Sequence, residues 1–396
     1  MRYIVLRDLR RTPVTGPFGG GAHDFGASLA AAGPPQPRID VEELDPRTRS
    51  ELGSDPAVVA IARPMPVALI RPLPESDDDV AAAASPSWGI AAVGADRSSL
   101  TGDGTVVAVL DTGIDRSHPA FAGMTLVEQD FSASGDGDRA GHGTHVAGTI
   151  FGRDVGGIRI GVARGVNRAL IGKVLNDQGN GSTFNVLSGM QWALEQGADV
   201  ISMSIGFDFP GVVRQWVDEG WPIELATAVA LESYRGNLRM FDALMAMIRA
   251  QEVLSTGTVV VAAAGNESRR TENPEFEIAA SLPAAAEGVL SVGAVGEAPE
   301  GWTIAPFSNT FPQLSAPGVA ITSAAIGGST RAMSGTSMAC PHVAGVAALW
   351  WEFARTAGLP PRATSVIAKT LGTARADGFA AQTDVADRGV GIVTAP

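Results

Sequence analysis

Val106-Val107-Ala108-Val109-Leu110-Asp111-Thr112-Gly113-Ile114-Asp115 opens on five apolar residues and closes on two acids around a glycine. A continuous apolar run of this length, with no polar alternation, suits a parallel strand covered on both faces. The pattern returns at residues 169–174 (interrupted by Gly172), 200–205 and 258–264. Helical windows separate these runs, for instance at 184–196. Such alternation predicts an α/β domain built from βαβ units. In sheets of this kind, functional groups gather where strands end and helices begin.

Composition narrows the function classes. The chain has 396 residues, 45% of them hydrophobic, enough for a sizeable core. Its net charge of −13 argues against nucleic acid or an anionic membrane surface as the main partner. With one cysteine there is no internal disulfide. The longest uncharged apolar stretches, 259–265 and 343–351, fall far short of the roughly 20 residues a membrane helix needs. Near the start, the apolar run at 3–6 is closed by Arg7 and Asp8. A signal peptide needs an apolar region of about 7–15 residues, so none is visible and a cytoplasmic location is expected. No internal repeat is apparent.

The first 87 residues read differently from the rest. Residues 2–9 look like a strand, and the Gly/Pro-rich stretch 16–37 like a loop. Residues 41–52 carry a helical pattern with Asp40 as its expected N-cap. Residues 57–62 and 66–70 read as strands bounded by Pro64 and Pro66. The acidic segment at 75–87 has a linker's composition, which puts a domain boundary near 87.

Three segments each place a reactive side chain beside glycines. Asp111 ends the strand quoted above; alone it reads as a cap or turn residue. His142 lies in Gly141-His142-Gly143-Thr144-His145-Val146-Ala147-Gly148-Thr149, which opens a helix. His142 and His145 share a helical face, but no Glu lies between them and a zinc site is weakly supported. Ser337 lies in Met333-Ser334-Gly335-Thr336-Ser337-Met338-Ala339, at the first turn of an apolar helix reaching Trp351. Free N–H groups and the positive dipole end at such a start suit a developing oxyanion, although a serine there is usually only a cap. Asp, His and Ser follow one another in the chain order found in subtilisin.

From residue 88 to the C-terminus the sequence resembles the subtilisin-like serine peptidases. The resemblance rests on the Asp111-Thr112-Gly113 segment, the His142 segment and Gly335-Thr336-Ser337-Met338-Ala339. Gly389-Val390-Gly391-Ile392-Val393 is similar to the family's closing segment. It implies a three-layer fold around a mostly parallel sheet, with a small α+β pro-segment in front. It also implies roles: Ser337 as nucleophile, His142 as general base then acid, and Asp111 orienting the imidazole. Asn266, after the strand at 259–263, matches the family's oxyanion asparagine. Ser204, Ile205 and Gly206 match the strand that pairs with peptide substrate, and Ala263, Ala264 and Gly265 the facing wall of the first specificity pocket. Both walls are small and uncharged, so an apolar or medium-sized residue is expected before the scissile bond.

Other features are expected to be structural. His145 and His342 read as packing residues, His118 as part of a surface turn, and Cys340 as a small core residue. No cofactor is needed for catalysis. The family's strong calcium site looks absent, because Ala120 follows His118-Pro119 and Arg153 adjoins Asp154; calcium elsewhere stays open. The segment 207–258 is longer than the family needs. Leu231, Tyr234, Leu238, Phe241, Met245 and Ile248 repeat at helical spacing there. That helix is either a surface element on the sheet or a rim contacting substrate or the N-terminal segment.

The expected organisation is therefore an inhibitory and folding segment at 1–87 and a catalytic domain at 88–396. The expected activity is a monomeric serine endopeptidase acting on peptides or proteins, self-processed within 81–87 and held by its own N-terminal segment. A dedicated intracellular leader peptidase is the alternative, and a catalytically silent peptide-binding module a third reading.

Overall fold

The computed structural model describes residues 1–11, 33–73, 88–358 and 360–396. Most of the expected loop at 16–37 and all of the acidic linker at 75–87 lie outside these, as does any cut within 81–87.

In chain order the N-terminal part holds β1 (Arg2–Asp8), β2 (Pro37–Glu43), α1 (Pro46–Leu52), β3 (Val58–Ala62) and β4 (Pro66–Leu69). Next come α2 (Trp88–Ala92), β5 (Val106–Asp111), β6 (Thr125–Asp130), α3 (His142–Phe151) and β7 (Arg168–Lys173). They are followed by β8 (Asn180–Ser182), α4 (Thr183–Glu195), β9 (Val200–Met203) and β10 (Ile205–Phe207). Two helices follow, α5 (Phe209–Asp218) and α6 (Ile223–Gln251). The C-terminal part has β11 (Val259–Ala263), β12 (Leu290–Ala298), β13 (Gly301–Ile304) and β14 (Leu314–Pro317). It ends with β15 (Ile321–Ala325), β16 (Ser329–Met333), α7 (Thr336–Thr356), α8 (Ala363–Gly372) and α9 (Val385–Arg388).

These group into two units. The larger contains Val67–Phe207, Thr258–Ala285 and Val289–Pro396. Its main sheet runs β13-β12-β11-β9-β5-β7-β6, with β14 also on β12, and every pair is parallel except β12 with β13. The strand quoted at the outset is β5, near the middle. Val107 and Val109 join the core formed with Ile150 of α3 and Val343 and Val346 of α7. Leu110 points the other way, to where Gly189 of α4 approaches so closely that a Cβ would lie 3.3 Å from Leu110 Cδ2. Alternate residues thus feed opposite helix layers, which is why the run carries no polar member.

The smaller unit contains Met1–Pro66, Asp208–Gly257 and Ala286–Gly288. Its sheet has the order β2-β1-β3, both pairs antiparallel, over a core of Tyr3, Val5 and Leu44. The helix expected over 41–52 is a correction. Residues 37–43 pair with β1, and the helix begins at Pro46 with Asp45, not Asp40, as its cap. The Asp45 carboxylate accepts the Thr48 N–H at 2.8 Å. A proline lacks the N–H and clashes inside a helix begun at 41, yet fits the first turn of one begun at 46.

The long segment after β10 lies with the N-terminal residues. Within the smaller unit α6 packs on β3, and the buried Asn237 amide donates to Arg63 O at 2.8 Å and to Ser233 O at 2.8 Å. Phe209 of α5 meets Tyr234 of α6 edge-on at 6.0 Å. Of the two expectations for this segment, this arrangement matches a contact with the N-terminal residues. Among the described residues, no helix is long and apolar enough to cross a membrane.

Candidate active site

Asp111 is the last residue of β5, and its Oδ1 accepts both the Thr112 N–H and His142 Nδ1–H at 2.8 Å. The second of these bonds fixes the imidazole tautomer and leaves Nε2 as an acceptor. His142 opens α3, and the approach to β5 is close. A Cβ on Gly143 would lie 2.2 Å from Gly113 O, so only glycine lets the helix start this near the strand end. Asp111, His142 and Ser337 are all buried.

Ser337 is the second residue of α7. Its Oγ donates to the carbonyl of Ile70 at 3.1 Å, while His142 Nε2 has no hydrogen-bond partner among the described residues. Asn266 follows β11 and Gly265. Its Oδ1 accepts from Thr336 N at 2.9 Å and from Thr336 Oγ1 at 2.8 Å, so its Nδ2 must face the other way. There it donates to the Arg71 carbonyl at 3.0 Å.

The group these residues meet is the chain itself. β4 lies between β10 and β8, and residues 70–73 carry on across the site, so that 67–73 form a strap. Ile205, Gly206 and Phe207 pair antiparallel with Leu69, Ala68 and Val67. On the other side Leu69 N donates to Gly179 O at 2.8 Å, and beyond the site Leu73 N donates to Ser334 O at 2.9 Å. The Ile70 side chain is buried over Gly206, where a Cβ would come within 3.1 Å of Ile70 Cγ1. Arg71 is exposed.

Ile205 and Gly206, expected to pair with substrate, pair with the chain's own Leu69 and Ala68. Ser204 is not itself paired; its Oγ donates to Ser337 O at 3.2 Å, tying β10 to the start of α7. Ala263 shares the main core with Ile70. Ala264 O accepts from Ser281 N and Asn309 Nδ2, and Gly265 N donates to Thr336 Oγ1, so these two shape the wall behind the site.

His118 is a correction. It is buried, with its Nε2 2.8 Å from Ser329 O and its Nδ1 accepting Ala120 N–H at 3.1 Å. The following Pro-Ala-Phe forms a single tight turn under the ring, which encloses a residue whose neighbours look like surface. His145 and His342 lie inside α3 and α7, and burial lowers their pKa to about 3 and about 4. Burial pushes the Cys340 thiol up to about 11, which makes it a poor nucleophile. Asp154 faces Arg164 at 3.3 Å, and Arg153 reaches Val166 O at 3.1 Å and Asn167 Oδ1 at 2.8 Å.

Sequence reasoning missed Thr336, the strap's register and Asp138, which accepts five hydrogen bonds beside His142. The signal for the strap was present in Val67-Ala68-Leu69-Ile70, an apolar run followed at once by Arg71-Pro72.

The family model described as "Subtilase family" matches residues 102–391. A subtilisin-like serine protease of Penicillium citrinum is 31% identical over 320 residues, covering 77% of this chain and 67% of its own. A subtilisin-like protease of Trichophyton equinum is 33% identical over 278 residues, covering 66% of this chain and 58% of its own. One from Trichophyton tonsurans is 33% identical over 285 residues, covering 66% and 57%.

Proposed function

Because the chain belongs to the subtilase family and is a serine endopeptidase, we propose that Asp111, His142 and Ser337 carry its chemistry, and that the first bond they cut joins Ile70 to Arg71. The observation that carries this reading is the seating of Ile70. Its side chain is buried over Gly206, its carbonyl accepts the Ser337 hydroxyl at 3.1 Å, residues 67–69 before it pair with β10, and Leu69 is also bonded to Gly179 on the other side. An extended peptide held this way presents one carbonyl to the nucleophile.

In the reaction, the Ser337 hydroxyl turns from Ile70 O to His142 Nε2, which has no partner among the described residues, and gives up its proton there. Oγ bonds to the Ile70 carbonyl carbon. The charge forming on Ile70 O is met by Asn266 Nδ2 and the Ser337 backbone N–H. Asp111 steadies the imidazolium without taking a proton. His142 then protonates the Arg71 nitrogen, the Ile70–Arg71 bond breaks, and an ester links Ile70 to Ser337. Water, deprotonated by the same imidazole, releases the ester and regenerates the serine. Residues 67–70 then remain as a product-like plug, so the N-terminal segment acts as an inhibitor of its own chain. The same cleft takes peptide or protein substrates with an apolar, medium-sized residue before the cut.

A fluorophosphonate probe, which reacts only with an activated serine, tests the assignment. Purified ripened protein is expected to be labelled on Ser337 and to lose peptide turnover in step. Labelling elsewhere, or turnover that survives Ser337→Ala, would overturn it.

A further inference from the structure

We propose that Asp138 is a positioning residue for His142. It lies four residues before the histidine, in the loop between β6 and α3, and it is buried. Oδ1 accepts from Thr112 Oγ1 at 2.9 Å, Ala140 N at 3.0 Å and Gly141 N at 2.8 Å. Oδ2 accepts from Thr144 N at 2.9 Å and Thr144 Oγ1 at 2.7 Å. Its hydrogen-bond partners among the described residues are not Asp111 or His142 themselves but the residue after one and the residues around the other.

The direction of these bonds matters. A carboxylate only accepts, so the Thr112 hydroxyl must give its hydrogen to Asp138. That leaves the Thr112 oxygen free to accept the Gly143 N–H, which it does at 2.9 Å. By the same logic Thr144 Oγ1 gives its hydrogen to Asp138 and accepts the Asp115 N–H at 2.9 Å. One carboxylate thereby sets the chain on both sides of His142, at Gly141 and Gly143, and at Thr112 beside Asp111. Thr112 N in turn shares Asp111 Oδ1 with the imidazole. The anion also satisfies N–H groups left free at the start of α3, an end that favours negative charge.

The loop bearing Asp138 is itself pinned. Buried Lys173, level with Asp111 on the neighbouring strand, donates to Gly137 O at 2.8 Å and to Asp177 Oδ1 at 2.6 Å. An asparagine at 138 would keep the shape, but its amide N–H groups would face two or three donors whichever way it turned. The frame would then loosen at His142 and leave the substrate cleft untouched.

This inference rests on the reading of Asp111, His142 and Ser337 as a working triad. It is tested in the ripened protein with Asp138→Asn, with Thr112→Val as a second variant, and with Asp130→Asn as control. Asp130 accepts three comparable hydrogen bonds, from Ser132 and Gly135, without reaching α3. Asp138→Asn and Thr112→Val are expected to lower kcat at least about tenfold, as small misplacements of a catalytic group do, with KM within about threefold. The far-downfield proton resonance of the Asp111–His142 hydrogen bond should shift or vanish in both and persist in Asp130→Asn. Parent-like kcat and an unmoved resonance in folded Asp138→Asn would overturn the proposal, as would an equal loss in Asp130→Asn. A parent that neither turns over peptide nor labels on Ser337 would instead fail the triad reading, and the resonance would still report on Asp138.

Discussion

The Ser337 hydroxyl lies 3.1 Å from the carbonyl oxygen of Ile70 and gives its hydrogen there, while Asn266 Nδ2 holds the next carbonyl, that of Arg71, at 3.0 Å. Ser337 and Asn266 thus grip adjacent peptide units. In the proposed reaction Asn266 passes from Arg71 O to Ile70 O. Pro72 helps keep the resting grip, because it has no N–H and the bond to Ser334 O falls to Leu73. Pro72→Ala supplies a donor one residue earlier and eases the shift. Since one hydrogen bond is worth about 1 kcal/mol, self-cleavage should quicken about fivefold. The decay of full-length chain on a gel measures this; an unchanged or slower decay would speak against the role given to Pro72.

Asn266 depends on Thr336 for its orientation, since both bonds to Oδ1 come from that one residue. Asn266→Ala should lower kcat by about 10²–10³, the magnitude known for removing this donor in subtilisin itself, with KM little changed. Thr336→Val keeps the backbone bond and loses the hydroxyl one. Its kcat should fall by about tenfold, roughly the strength of one such bond to a polar partner. Steady-state kinetics on one peptide decides both, and a loss confined to KM would contradict the assignment.

Two buried histidines weaken the fold in acid. In the unfolded chain His145 and His342 take up protons near pH 6.5, while folded they do so only near about 3 and about 4. The unfolded state therefore binds more protons throughout the interval between. The contribution of these two groups is fully present above about pH 6.5 and is lost as the pH falls toward 4. The slope is about 1.4 kcal/mol per pH unit for each histidine. Urea unfolding of Ser337→Ala, which keeps the chain uncut, should give midpoints falling steeply from pH 7 to pH 5. His342→Gln should remove about one proton from that slope; an equal slope in both would refute the assignment.

Much of this was legible in the sequence where one chemical demand dominates. The uninterrupted apolar run of β5 has only one use, a strand buried on both faces, and glycines beside Asp111, His142 and Ser337 permit the close approaches found there. Legibility fails where the outcome depends on competition between distant segments. Asp40 and Asp45 are equally good caps locally; pairing with β1 and the constraint at Pro46 choose between them. His118 looks like a surface turn because its burial comes from Ser329, far along the chain. The strap's register is set by Gly206 and Gly179, neither adjacent to it in sequence, so Val67-Ala68-Leu69-Ile70 read only as one more strand. The role of Asp138 is likewise written in five hydrogen bonds and not in a motif.

The central claim is that the strap lies across the site with Ile70 before the scissile bond. Intact mass and N-terminal sequencing of the first product, from freshly purified full-length chain, test it most directly. A C-terminal fragment beginning Arg71-Pro72-Leu73, absent from Ser337→Ala, is the predicted result. A first fragment beginning anywhere else, or the same fragment from Ser337→Ala, would contradict the account.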